Sequence, residues 1–416
     1  MTRPLRSYIL IRALDELSAQ MVNVGVAWYV YAATHNPMSL AYVGLARFLP
    51  NLGVALMAGH AADRFDRRRI IGIALFLQAV SIALLAALAG ARATSTGPIY
   101  VLLVIIGIAQ AFDAPAMSAA LPGLVSAGEL PRAVAKVSSA FQMCTLAGPA
   151  LGGLIYAISG PGMFAFAAAL YLAALTQLPG LVDARRPERG ADEGARDRSP
   201  LGGIRYVRAN RVLLGVLSLD LFAVLLGGVT ALLPIYAKDI LAVGPAGLGC
   251  LRGAPAVGAA VTGLFLARHS IRRGAGRLML GCVAGFGLAT VVFAVSSNVW
   301  LSLGALMAAG AFDMVSMVIR QTLVQIATPD AMRGRVSAVQ WVFIGASSEL
   351  GEFESGATAA LFGTVPAALL GGLGTLAVVA LWTKVFPELS AADQICQPKL
   401  NPVPEPSLPK NAAASS

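Results

Sequence analysis

Apolar blocks of twenty or more residues recur along the chain, separated by short segments rich in Gly, Pro and charge. A helix rising about 1.5 Å per residue needs about 20 mostly apolar residues to cross a hydrocarbon core of about 30 Å. The blocks therefore predict twelve membrane-spanning helices, near 8–33, 39–61, 70–91, 98–124, 137–159, 161–182, 211–237, 246–267, 277–297, 299–325, 336–363 and 365–386. The opening Met1–Arg6 followed by an apolar run resembles a secretion signal. Arg12, Asp15 and Glu16 interrupt that run, so it reads as an uncleaved first span.

Composition narrows the class further. Of the 416 residues, 57% are hydrophobic and 12% charged, about half the charged share of a soluble globular domain. The net charge of +10 raises the question of nucleic acid, and the positions of the cations answer it. Of 31 Lys and Arg, 25 fall in loops on the side of the termini, two on the opposite side and four within spans. Short basic loops face the cytoplasm, so both termini are expected inside, in the cytoplasmic (inner) membrane, with lipid rather than nucleic acid as the surrounding partner. Cys144, Cys250, Cys282 and Cys396 are scattered, and His35, His60 and His269 lie far apart. No metal, disulfide framework or cofactor is expected, and no nucleophile–base pair or phosphate loop suggests an enzyme.

Residues 183–200 are almost wholly charged or small, so 183–210 is expected to be a cytoplasmic linker between an N-terminal half (1–182) and a C-terminal half (211–386). The Pro-rich stretch 387–416 reads as a disordered cytoplasmic tail. The halves repeat. A shift of 205 places Leu14-Asp15 on Leu219-Asp220, Tyr31 on Tyr236, Gly44 on Gly249, Arg47 on Arg252 and Pro50 on Pro255. Shifts of 200 and 199 place Phe112-Asp113 on Phe312-Asp313 and Lys136-Val137-Ser138 on Arg335-Val336-Ser337. Parallel six-span repeats are an architecture of secondary transporters, with the site near the midplane between the halves.

Between the second and third spans stands Gly59-His-Ala-Ala-Asp63-Arg64-Phe-Asp66-Arg67-Arg68-Arg69. It resembles the Gly-x-x-x-Asp-Arg-x-Gly-Arg-Arg/Lys loop of the major facilitator superfamily, departing at Asp66, where the general pattern has Gly. The variant is similar to that of a branch containing enterobactin exporters and other efflux carriers, as are Gly249–Gly258 and Met332–Ser337. Gly148-Pro149-Ala-Leu-Gly152-Gly153 resembles the antiporter signature of the same superfamily, and Pro149 should bend its helix. The resemblance implies the major facilitator fold, with spans 1, 4, 7 and 10 lining a cavity. In the loop, Gly59 allows close helix approach, Asp63 and Arg64 are expected to latch a gate, and Arg67, Arg68 and Arg69 to hold the loop on the cytoplasmic side.

Eight acids fall within the spans: Asp15, Glu16, Asp113, Asp220, Asp313, Glu349, Glu352 and Glu354. A charge there costs at least about 2.5–3.5 kcal/mol, so each needs a partner, a wet cavity or a proton. Arg12, Glu16, Gln20 and Asn23 form a polar stripe on one face of the first span, expected to line the pathway. Asp15 with Asp220, Arg47 with Arg252, and Asp113 with Asp313 recur in both halves, which suits scaffold or gating pairs. Glu16, Arg320, Glu349, Glu352 and Glu354 have no counterpart, which makes such groups the better candidates for substrate or proton work, and Glu349 and Glu352 share a face where two carboxylates can hold a proton. The expectation is a monomeric, proton-coupled exporter of a small amphipathic molecule, drug-like or siderophore-like, working by alternating access. An importer, a facilitator, a lipid carrier or a transport-inactive sensor of the same fold is the alternative.

Overall fold

The computed structural model describes residues 2–91, 95–126, 128–181, 200–269 and 274–391. Among the described residues the regular structure is helical throughout. The first half comprises α1 (Arg3–Thr34), α2 (Pro37–Arg64), α3 (Arg67–Gly90), α4 (Gly97–Ala120), α5 (Leu130–Ile158) and α6 (Gly160–Gln177). A short α7 (Pro200–Ala209) precedes α8 (Arg211–Gly227) and the three-residue α9 (Leu233–Ile235). There follow α10 (Gly244–Arg268), α11 (Ala275–Val295), α12 (Val299–Ala327), α13 (Asp330–Phe362), α14 (Thr364–Val385) and the short α15 (Pro387–Ala391). Long helices stand at every expected block, with ends moved by a few residues. The starts are capped as the sequence invites. Asn36, Asp66, Ser159, Asn210 and Asn298 each accept a backbone N–H from the first turn.

Nine helical segments of the described chain are long and apolar enough to cross a membrane. The other long helices, α1, α2 and α13, at 32, 28 and 33 residues, carry charges within their spans: Arg12, Asp15 and Glu16 on α1, Arg47 on α2, and Glu349, Glu352 and Glu354 on α13. Two differences from the sequence expectation have local causes. The seventh block is not one continuous helix: after Gly227-Gly228 it passes through a 3-10 turn (Val229–Leu232), then α9 with Pro234, then a π turn (Tyr236–Ile240). The linker is also not structureless to residue 210, because α7 forms and Val207 on it is buried among α8, α11 and α13 residues. The start of the tail also departs from the expected disorder, since 387–391 form α15 and Leu389 on it is buried against the second helix group, while the rest of the linker, 183–199, and the tail from 392 lie outside the described residues.

Helices α1 to α6 pack chiefly on one another, and α8 with α10 to α14 likewise. The two groups meet along two seams, α5 against α10 and α2 against α13. Backbones nearly touch at both. A Cβ added to Gly153 of α5 would stand 2.4 Å from the Pro245 carbonyl, and one added to Gly249 of α10 would stand 2.5 Å from that of Pro149. On the other seam a Cβ at Gly356 of α13 would meet Ala41 of α2 at 2.8 Å. Gly249 and Gly44 are equivalent in the repeat, so the two seams are built on the same plan.

One buried apolar cluster belongs to the first group alone and another to the second group alone. The third draws on both groups, joining Val24, Ala27, Tyr31 and Leu40 to residues 229–254, 293–306 and 359–368. All of these lie at the end of the bundle away from the described N-terminus. The halves are therefore sealed together at that end.

Candidate functional site

Between the two groups lies a cavity of about 400 Å³. Val26, Leu40, Val43, Phe286 and Leu306 supply apolar walls, and Arg47, Arg252, Asp313, Glu349 and Glu352 supply the charge. Gln20 and Asn23 of the α1 stripe, Thr145 and Pro149 of α5, and Thr230 and Thr290 complete the polar lining. The lining thus combines apolar contact area with two guanidiniums and three carboxylates.

The guanidinium of Arg47 donates from Nη1 to Asn23 Oδ1 and from Nη2 to Gln110 Oε1 at 3.1 Å. Its Nε is buried without a partner, and so is the Nε of its repeat equivalent Arg252. Glu349 and Glu352 lie in the electrostatic field of both arginines, and Glu352 packs one turn from Arg47, 3.6 Å from the site of a Cβ on Gly44. Among the described residues no ion pair closes between these arginines and carboxylates. The arginine pair of the repeat thus faces the cavity and the unpaired carboxylates of α13. The repeat by itself suits Arg47 and Arg252 to scaffold or gating pairs and is silent on their facing α13, because the α2–α13 seam joins residues about 300 apart in the chain.

The α1 stripe is divided. Arg12 pairs with Asp15 at 3.2 Å and stacks over the Phe141 ring at 5.1 Å. Glu16 accepts from Gln20 Nε2 at 2.8 Å and from Thr145 Oγ1 at 2.9 Å, which fastens it to α5 at the rim of the cavity. Asp15 and Asp113 are both buried, close to one another and to Tyr171, away from the central cavity, and Asp113 Oδ1 has no partner. Tyr171 also donates to Gln78 Oε1 at 3.0 Å, so this cluster is internal to the first half.

In the second half Asp220 forms a buried ion pair with Arg320. These two, with Asp313 and Ser316, line a side cavity of about 180 Å³ that shares Gly227, Thr230, Phe286 and Asp313 with the central one. Asp313 therefore stands where the two cavities join. Glu354 lies off both and accepts from Thr358 Oγ1 at 2.9 Å.

Around the α2–α3 loop, Asp66 explains its own departure from the general pattern by capping α3, its Oδ1 accepting the Arg68 N–H at 2.9 Å. Arg67 donates to the Ala119 carbonyl at 2.7 Å, tying the loop to the end of α4, while Arg64 and Arg68 are exposed. Among the described residues nothing lies within 4 Å of a Cβ added to Gly59. Asp63 falls in the last turn of α2, with its side chain outside the described residues. The antiporter-like segment serves two faces of one helix. Gly148 and Gly152 admit Gln20 and Met21 of α1 (2.5 and 2.8 Å to an added Cβ), and Gly153 admits α10 across the seam.

Partners missed by sequence reading include Gln110, one turn before Asp113 in an otherwise apolar helix, which was a visible signal. Others had none: Thr145 is one hydroxyl among many, and Asp239, which accepts from Tyr31 Oη across the sealed end, lies 208 residues away.

The comparisons with known proteins follow this geometry. The family model described as Transmembrane secretion effector matches residues 6–415. The chain is 27% identical over 395 residues to the enterobactin exporter EntS of Escherichia coli O1:K1 and to that of Shigella boydii serotype 18, covering 92% of each chain. Its fold matches that of the nucleoside transporter NupG with a TM-score of 0.72 at 13% identity, over 93% of this chain and 99% of that one. It matches a bacterial homologue of the iron transporter ferroportin with a TM-score of 0.68 at 17% identity, over 94% and 99%. With a charged, apolar-walled cavity held between two repeated helix groups and a family match over nearly its whole length, this integral membrane protein belongs to the Transmembrane secretion effector family of major facilitator superfamily transporters.

Proposed function

We propose that the protein is a proton-coupled secondary exporter of small amphipathic compounds, drug-like or siderophore-like, working by alternating access in the cytoplasmic membrane. The observation that carries this reading is the central cavity, closed at one end by the shared apolar cluster and lined by Arg47, Arg252, Glu349 and Glu352. All twelve long segments, including α1, α2 and α13, would cross the bilayer as two six-helix halves, 1–182 and 211–386, with both termini in the cytoplasm. In that orientation the sealed end faces outward and the cavity is offered to the cytoplasm, as loading of an exported compound requires. The enterobactin exporters among its relatives support the outward direction and an amphipathic cargo.

In this reading Glu349 and Glu352 carry the coupled proton, and Arg47 and Arg252 shift toward or away from them as they load. Coupling is limited to the difference in binding free energy between the two conformations. Asp63 and Arg64 latch the cytoplasmic mouth in the opposite conformation, and the protein works as a monomer. The test is transport in proteoliposomes under an imposed pH gradient, with a panel of dyes and catecholate siderophores and with internal pH recorded. Compound movement opposite to proton flow, lost in Glu349→Gln and kept in Glu354→Gln, is the expected result. Flux indifferent to the gradient would reject proton coupling in favour of a facilitator.

A further inference from the structure

At the sealed end, the last turn of α1 meets the π turn of the second half through a group of polar contacts that the cavity does not use. Lys238 Nζ lies 2.8 Å from His35 Nε2, 3.5 Å from the Ala32 carbonyl and 5.7 Å from the centre of the Tyr31 ring. Tyr31 Oη donates to Asp239 on the same π turn. These contacts join the two halves across the mouth, so the mouth cannot open without breaking them.

In the His35–Lys238 contact an ammonium can only donate, having three donors and no acceptor, so Nε2 is the accepting atom. An imidazolium donates from both nitrogens and would set two cations face to face. His35 meets Lys238 from the π turn and Tyr31 from its own helix, whose ring centre lies 6.1 Å away, and Asp239 of the π turn in turn accepts from Tyr31. The backbone adds to the picture. His35 and Ala242 are the non-glycine residues with positive φ among the described ones, both at 52°, the first in the contact itself and the second four residues after Lys238. Such conformations persist where surrounding contacts hold them.

We propose that His35 and Lys238 form an outer latch released by protonation of His35, so that acid on the outer side favours opening of the mouth. The inference rests on the alternating-access reading above. Histidine changes charge in the pH range between the two faces of an energised membrane, so the latch would open where protons are plentiful and admit them to the cavity. The sign follows from the contact. Neutral His35 stabilises the closed mouth, and that stabilisation is lost as the outer pH falls.

The test needs no transported compound. Nitroxide labels at Ala33→Cys and Trp300→Cys, in a chain whose native cysteines are replaced by alanine, report the width of the mouth by double electron–electron resonance in lipid nanodiscs at pH 8 and pH 5.5. Acid should raise the ratio of wide to narrow populations about fivefold, the size of effect expected of one surface charge pair. His35→Gln keeps an acceptor and cannot take the proton, so it should stay narrow at both pH values. Lys238→Met should lose the pH response as well. An unchanged distance in the native chain, or an acid response that survives in both variants, would overturn the latch. Because width is read without cargo, that outcome leaves the exporter reading to its own flux assay.

Discussion

Asp15 and Asp113 in the first half and Asp220 and Asp313 in the second occupy equivalent places in the repeat, yet their surroundings have diverged. Asp15 is paired by Arg12 from its own helix, one turn away, and Asp113 is sealed beside it with one oxygen unpartnered. Asp220 is paired across helices by Arg320 of α12, and Asp313 opens onto both cavities. The equivalents of Arg320 and Arg12 in the opposite halves are Ala120 and Leu217. Duplication kept the acids, whereas the cation and the access to water were settled separately in each half. The lesson is that a repeated charge does not imply a repeated job.

The largest effect should come from leaving Asp220 alone. Arg320→Leu strands a buried carboxylate, a loss of about 3–5 kcal/mol, seen as a lower Tm of the purified protein. Adding Asp220→Leu should recover most of it. Arg12→Leu is the matching change in the first half. Arg12 is 28% exposed, so the same assay should register at most about 1 kcal/mol. Equal losses from the two arginine variants would break the comparison.

Transport should separate the two unpaired acids next. Asp313→Asn changes a group on the cavity wall and should cut gradient-driven flux at least about tenfold, equivalent to about 1.4 kcal/mol. Asp113→Asn should change flux less than about twofold and leave Tm nearly level, since it keeps the size of a buried side chain whose Oδ1 already has no partner. The smallest effect tests the shared plan of the seams. Gly356→Ala and Gly153→Ala each place a methyl against a facing backbone and should lower Tm similarly, by about 1–3 kcal/mol in stability, their difference being below about 1 kcal/mol.

Much of the fold was legible because membrane spans are written as local runs of apolar residues, and the helix ends are written as caps such as Asn36 and Asn298. The break in the seventh span was signalled by Gly227-Gly228 and Pro234, although an apolar count passes over it. In the site, the repeat identified Arg47 and Arg252 as a pair, and helical spacing identified Glu349 with Glu352. That the pairs face one another was not legible, since it depends on how α2 and α10 lean on α13 and α5. Asp220–Arg320 is 100 residues apart and Tyr31–Asp239 208, and no local rule carries such distances.

The polarity of α1, α2 and α13 also bears on how the protein is made. A helix carrying Arg12, Asp15 and Glu16 is a poor candidate for release into lipid by itself. As the ribosome delivers α1, its partners Thr145 and Phe141 are still some 120 residues from synthesis. If α1 crosses the bilayer, its polar stripe is covered only once α5 has been made, whereas α13 is made after α2 and α8, the helices on which it packs. Order of synthesis thus makes the polar stripe of α1 wait for α5, whose Thr145 follows Glu16 by 129 residues.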